Sequence, residues 1–184
     1  MKWIAFFSQT GSEIVDISNA LGRKPDLLVT NNFEQKIKFN PGIRKLGVTI
    51  QSARHDMLMD YFRMQRVYNP DLTLITLHGY LRIIPEDICN QYDILNGHPG
   101  LITKYPELKG KDPQVRTWEG KYLDLGSVVH KVTPGVDEGE VLSSVAYTNR
   151  CESLDEMYGK LRQSSLESWL WILKRIEDLG CELV

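Results

Sequence analysis

Asn96 and His98 stand two residues apart at the end of an apolar run, within Leu95-Asn96-Gly97-His98-Pro99-Gly100-Leu101. Residues i and i+2 of a strand face the same side. This spacing therefore presents one amide and one imidazole together where a strand leaves its sheet. Paired N–H donors of this kind can stabilise an oxygen on which negative charge develops. The imidazole also titrates near neutral pH and can carry a proton. Open α/β sheets bind ligands at this edge. Asp137, further along the chain, supplies a carboxylate; near an imidazole it would favour the protonated ring and could hold a water for proton relay. Each residue alone has a plainer explanation. Asn96 suits a turn before Gly97, Asp137 suits the turn between Pro134 and Gly139, and a single histidine is commonly a hydrogen-bonded, partly buried residue.

The elements that must position these groups follow from the hydrophobic pattern. Trp3-Ile4-Ala5-Phe6-Phe7 is a continuous apolar run, expected of a strand covered on both faces. Gly11 and Ser12 open a helix to about Leu21, and residues 26–30 form a second strand. Residues 31–45 are polar and read as a surface excursion. His55 to Tyr68 carries Met57, Leu58, Tyr61, Phe62, Met64 and Val67 near helical spacing, and Asn69-Pro70-Asp71 stops it. Residues 72–77 make a strand. Pro85-Glu86-Asp87 fits the first turn of a helix, and residues 92–95 lead as a strand into Asn96. Two further strands, 125–132 and 141–147, lie close enough to form an antiparallel edge hairpin. Ser153-Leu154-Asp155-Glu156 is a capping box; its helix carries Met157, Leu161, Trp169, Ile172, Leu173 and Ile176 and runs past residue 175. Trp169 and Trp171 cannot both face one core. Strands alternating with helices predict an α/β domain with a mainly parallel sheet, spanning residues 1–184.

Composition sets outer bounds. The 184 residues are 42% hydrophobic and 25% charged, with a formal net charge of −2. That balance gives no general drive toward nucleic acid or an anionic membrane. No apolar run reaches the roughly 20 residues of a membrane helix, and the first residues lack the features of a signal peptide. Three scattered cysteines, Cys89, Cys151 and Cys181, make no disulfide framework or zinc site. They fit a reducing, cytoplasmic setting. No metal-ligand cluster is evident.

The chain resembles the folate-dependent formyltransferases, nearest to the phosphoribosylglycinamide type, whose core the methionyl-tRNA and sugar-amine enzymes share. The resemblance rests on Asn96-Gly97-His98-Pro99, on Val136-Asp137-Glu138-Gly139-Glu140-Val141, on Gly79-Tyr80-Leu81-Arg82-Ile83-Ile84, and on His130 in Val128-Val129-His130. It implies a Rossmann-like formyltransferase fold and transfer of a formyl group from 10-formyltetrahydrofolate, as co-substrate and without metal, to the amine of a small acceptor. Asn96 and His98 would stabilise the tetrahedral intermediate, with Asp137 assisting proton transfer. The pterin would lie against the backbone of Arg82, Ile83 and Ile84 and the loop of Pro134, Gly135, Val136 and Asp137, with Tyr80 and Leu81 as an apolar wall. His130 would help bind the acceptor. No nucleic acid or membrane partner is implied, and a homo-oligomer stays open.

The acceptor end departs from the family pattern. The resemblance implies a phosphorylated acceptor, glycinamide ribonucleotide first, held at a Gly-Ser-Asn turn before the first helix. Here the turn reads Gly11-Ser12-Glu13, and a carboxylate there repels phosphate unless it turns outward. Arg162 and Ser165 stand where the family places ribose-contacting groups. Gly100 replaces a serine after His-Pro, and the chain is shorter than most relatives between Thr30 and His55. The 107–113 loop looks closer to the tRNA and sugar enzymes, which keeps a nucleotide-linked amino sugar open as acceptor. Hydrolysis of 10-formyltetrahydrofolate is a second reading, disfavoured because the chain starts directly with the first strand. A non-catalytic folate-binding protein is a third, disfavoured by intact Asn96, His98 and Asp137.

Overall fold

The computed structural model describes residues 1–34, 36–64 and 68–178. β1 (Lys2–Phe7) carries the apolar run into the middle of a seven-stranded sheet, and Trp3 through Phe7 are at most 1% exposed. The chain steps outward from β1 to β2 (Leu27–Thr30) and β3 (Ile50–Ser52). It then crosses back over β1 to β4 (Thr73–Leu77) and β5 (Asp93–His98). These five strands are parallel. β6 (Asp124–Lys131) and β7 (Val141–Thr148) add an antiparallel edge, giving the order β3-β2-β1-β4-β5-β6-β7.

Because side chains alternate along each strand, the sheet has two apolar faces and needs cover on both. Ile4, Phe6, Ile75, Leu77 and Ile94 pack under α3 (His55–Met64) and α4 (Glu86–Cys89). Trp3, Ala5, Phe7, Leu74 and Leu95 pack under α1 (Ser12–Leu21) and α6 (Leu154–Asp178). Trp169 of α6 is fully buried and Trp171 is half exposed, so the core takes one of the two indoles.

The strand order fixes where a ligand crevice forms. The chain leaves β1 toward β2 on one side and later fills β4 on the other, so the loops after β1 and β4 diverge. Crevices at such switch points lie outside the carboxyl ends of the strands. Residues 8–13 and 78–84 leave there, beside the Asn96–His98 end of β5.

Several boundaries depart from the expectations. The polar stretch 31–45 is not all surface excursion: Asn40 caps α2 (Pro41–Lys45) by accepting from the Gly42 N–H, and Ile43 is fully buried. β3 was not expected; its three residues leave no periodic signal, and one edge of β2 holds them. The described part of α3 ends at Met64, and Val67 lies outside the described residues. Strand β5 continues through Asn96 to His98 rather than stopping before them, because β6 pairs with those residues too. At α6, Ser153 Oγ accepts from the Glu156 N–H as a capping box requires, but the Glu156 carboxylate accepts from Glu152 N–H instead of Ser153 N–H.

Gly97 is a point of close approach between β5 and α6. A Cβ there would stand 2.5 Å from Trp169 Nε1 and 3.0 Å from Cε2. Neither a central strand nor a buried indole can move away cheaply. Gly97→Ala is expected to destabilise the fold by about 1–3 kcal/mol, read as a lower urea midpoint with unchanged slope. Equal midpoints would show that α6 can retreat.

Candidate functional site

β5 and β6 bring three polar side chains to one face. Asn96 and His98 share a side through the two-residue period, and Asn96 lies directly opposite His130 in the antiparallel register. His130 Nδ1–H donates to the Lys131 carbonyl at 2.8 Å, which leaves Nε2 to accept from Asn96 Nδ2 at 3.1 Å. This fixes the amide's orientation. One of its two N–H bonds is used by His130, and the other remains for an incoming oxygen.

Asp137 reaches the same face from the loop between β6 and β7. Its Oδ2 is 3.3 Å from His98 Nδ1 and accepts from Gly110 N–H at 2.8 Å; its Oδ1 is 3.4 Å from His130 Nε2. Its backbone is left-handed, φ 52°, a conformation aspartate tolerates better than most side chains. Burial alone would raise the carboxyl, but the neighbouring imidazoles of His130 and His98 and the Gly110 N–H hold it below the usual range. Asp137 is therefore ionised at neutral pH.

His98 is 5% exposed and lies between two oxygen acceptors, Asp137 Oδ2 and the Leu108 carbonyl, the latter 2.9 Å from Nε2. A neutral ring has one N–H and satisfies only one of them. Its second nitrogen then faces an oxygen with no proton between. Burial is the largest influence on the ring and holds its pKa below 6.5, against the pull of Asp137. The ring is thus neutral at rest in a geometry that rewards a second proton, the condition of a proton carrier.

The expected folate segments lie on both sides of this centre. Leu81 and Ile83 are exposed after β4, and Val136 is half exposed next to Asp137. Ile84 is buried, and the Tyr80 ring packs edge-on to Phe6 with its hydroxyl 2.9 Å from His55 Nδ1. Tyr80 thus braces the segment from within the core. Ser8 Oγ accepts from Leu81 N–H, and Arg82 N–H closes a tight turn onto the Tyr80 carbonyl. Gly135 is covered by the Glu138 side chain, and Pro134 precedes it in the same loop.

On the opposite face, an open pocket of about 250 Å³ lies at the switch point. Gly11, Ser12 and Glu13 of the α1 N-terminus line it with His78, Gly97, Pro99, Gln114, Arg162 and Ser165. Glu13 does not turn outward. Its Oε2 accepts from His78 Nδ1 at 2.8 Å and its Oε1 accepts from Ser165 Oγ at 2.5 Å, while 29% of the side chain stays exposed. Arg162 is turned onto Asp16.

His78 was not assigned a role from the sequence. The missed signal is positional: it directly follows β4 and precedes Gly79, which has φ 62°, while His98 ends the neighbouring strand. The Leu108 carbonyl and Gly110 N–H were invisible because backbone partners leave no residue-type signature. Among the described residues no group of acidic, histidine and cysteine side chains could hold a metal. No described helix is long and apolar enough to cross a membrane. Cys89 and Cys151 are free, and Cys181 lies outside the described residues.

Comparison with known proteins gives a consistent result. The family model described as formyl transferase matches residues 2–170. A phosphoribosylglycinamide formyltransferase from Dictyostelium discoideum is 28% identical over 129 residues, 64% of this chain and 62% of that protein. A methionyl-tRNA formyltransferase from Fervidobacterium nodosum is 27% identical over 94 residues, 50% of this chain and 29% of that one. The chain therefore aligns with less than two thirds of either curated relative. Among solved structures, the phosphoribosylglycinamide formyltransferase of Campylobacter jejuni superposes with a TM-score of 0.80 at 21% identity, covering 96% of this chain and 97% of that one. That of Streptococcus pneumoniae gives 0.79 at 18%, covering 95% and 98%. At these identities the structural likeness establishes the shared fold.

The depressed His98 pKa has a signed consequence for stability. Below about pH 6.5 the unfolded chain binds a proton that the folded ring resists. Stability is complete above that pH and falls as pH drops from there through the folded value. His55, also lowered chiefly by burial, adds in the same direction. His98→Asn is expected to flatten, not abolish, the fall in Tm between about pH 6.5 and 5. An unchanged slope would mean that His98 is not the buried neutral ring described.

Proposed function

Because the chain belongs to the formyl transferase family, we propose that it transfers the formyl group of 10-formyltetrahydrofolate to the primary amine of a small acceptor. The observation that carries this reading is the convergence of Asn96, His98 and Asp137 at the carboxyl end of β5. Glycinamide ribonucleotide is the first acceptor to test, since the Dictyostelium discoideum relative is named for that reaction and the sequence resemblance implies it.

Attack by the amine nitrogen forms a new bond to the formyl carbon, and the carbonyl oxygen gains negative charge. The free N–H of Asn96 meets that oxygen, a donor worth about 100- to 1,000-fold in turnover. The attacking amine must lose a proton and the departing N10 of the folate must gain one. His98 is suited to pass it, because ionised Asp137 and the Leu108 carbonyl stabilise the imidazolium on both edges. His130 orients the Asn96 amide rather than taking part directly. The exposed Leu81, Ile83 and Val136 supply an apolar surface for the folate ring.

Folate release followed by absorbance, with and without glycinamide ribonucleotide, tests the reading. Release dependent on an amine is the expected result; release without any amine would favour the hydrolase reading. Asp137→Asn is expected to keep the fold and folate affinity while lowering kcat by about 100- to 10,000-fold. Undiminished turnover in that variant would remove Asp137 from the mechanism.

A further inference from the structure

The mechanism leaves the Glu13–His78 acid–imidazole pair without a role, and its part-exposed carboxylate lines the pocket next to the reacting centre. Glu13 stands in the first turn of α1, where the helix dipole favours negative charge. Burial alone would raise its carboxyl, yet its contacts with His78 and Ser165 hold it below the ordinary range. Trp3 Nε1–H donates to Thr76 Oγ1, His78 Nε2 lies 2.8 Å from the same hydroxyl, and His78 Nδ1–H donates to Glu13. The Glu13 carboxylate is thus seated at the pocket wall by groups within the fold.

Among the described residues that line the pocket, no unpaired Lys or Arg faces that carboxylate. Arg162 is the remaining charged residue lining the pocket, and its Nε and Nη2 both bond Asp16. A phosphate placed at Gly11 and Ser12 would meet a carboxylate already seated at the same helix end. A carboxylate has about four acceptor positions. His78 and Ser165 occupy two of those on Glu13, and the exposed part of the side chain offers the others to a hydrogen-bond donor. Thr10, Ser12, Gln9 and Gln114 complete a lining of hydroxyls and amides. Gly97 and Pro99 join this pocket to the strand end that carries Asn96 and His98.

Resting on the formyl-transfer reading, we propose that Glu13, held by His78 and Ser165, sets acceptor specificity. It selects an amine whose far end presents hydroxyl or ammonium donors and rejects one that ends in a phosphate monoester. Glu13 here excludes one ligand class and reads another; it takes no part in the proton transfer.

The first test needs no turnover. Inorganic phosphate is titrated into the wild-type chain and Glu13→Gln, with the Gly11 and Ser12 amides followed by nuclear magnetic resonance. The amide variant keeps the shape of the side chain and the Ser165 contact, and its dispersed spectrum reports that it folds. Wild type is expected to show no saturable shift at millimolar phosphate, and the variant is expected to gain one. Equal binding by both proteins, or by neither, overturns the assignment to Glu13. The second test compares glycinamide ribonucleotide with the same compound lacking its 5′-phosphate. Wild type is expected to use the dephosphorylated amine with a KM lower by about tenfold or more, and Glu13→Gln to narrow or reverse that ratio. Preference for the ribonucleotide by wild type would sink the proposal. Failure of the formyl-transfer reading is seen separately, as absence of amine-dependent folate release, while the phosphate titration still decides the role of Glu13.

Discussion

One carboxylate ties four segments of the chain together. Asp137 comes from the β6–β7 loop, faces His98 of β5 and His130 of β6, and accepts from the Gly110 backbone in the loop after β5. Without an anion there, two buried imidazoles would face each other with no charge to favour protonation of either. The 99–112 loop would lose a contact that holds it over His98, and the Leu108 carbonyl is delivered by that same loop. The position costs the chain a left-handed aspartate and the burial of a charge, both destabilising taken alone. The hydrogen bonds offset that cost only when all of them form, so the site and the loops around it order together.

The other constraint is steric and acts from the opposite face. Asn96 and His98 point to one side of β5, so the residue between them must point to the other. Gly97 does so against Trp169, with no room for a side chain. A larger residue would push α6 away, and α6 carries Ser165, which holds Glu13. The face of β5 that carries Asn96 and His98 and the pocket beside Glu13 are therefore coupled through a single backbone position.

Much of this was legible in the sequence, for identifiable reasons. The two-residue spacing of Asn96 and His98 needs only the strand period. The apolar run of β1 and the helical period of α6 are long enough to read without neighbours. What was not legible depends on tertiary partners: β3 has too few residues for a period, and α2 declares itself only through burial of Ile43. Glu13 was seen as an anomaly, but its inward orientation depends on His78 and Ser165, which are 65 and 152 residues away. Backbone donors and acceptors such as Gly110 and Leu108 cannot be read from residue type at all.

Two acid–imidazole pairs thus stand at adjacent strand ends, and their surroundings separate their roles. His78 is bonded on one side to an acid and on the other to a hydroxyl, Thr76, which can either give or take a proton. Both of its nitrogens are therefore engaged within the fold. His98 faces groups that only accept on both sides, the Leu108 carbonyl bonded to Nε2 and the Asp137 carboxylate 3.3 Å from Nδ1. Its neutral form always leaves one contact unmade, while burial opposes the charged form that would complete both. A ring balanced between these two costs exchanges a proton readily, whereas a ring in a closed network holds a carboxylate in place. On the reading proposed above, the same two side-chain types would serve proton transfer at one strand end and recognition at the next, according to whether the second partner of the imidazole is a carbonyl or a hydroxyl.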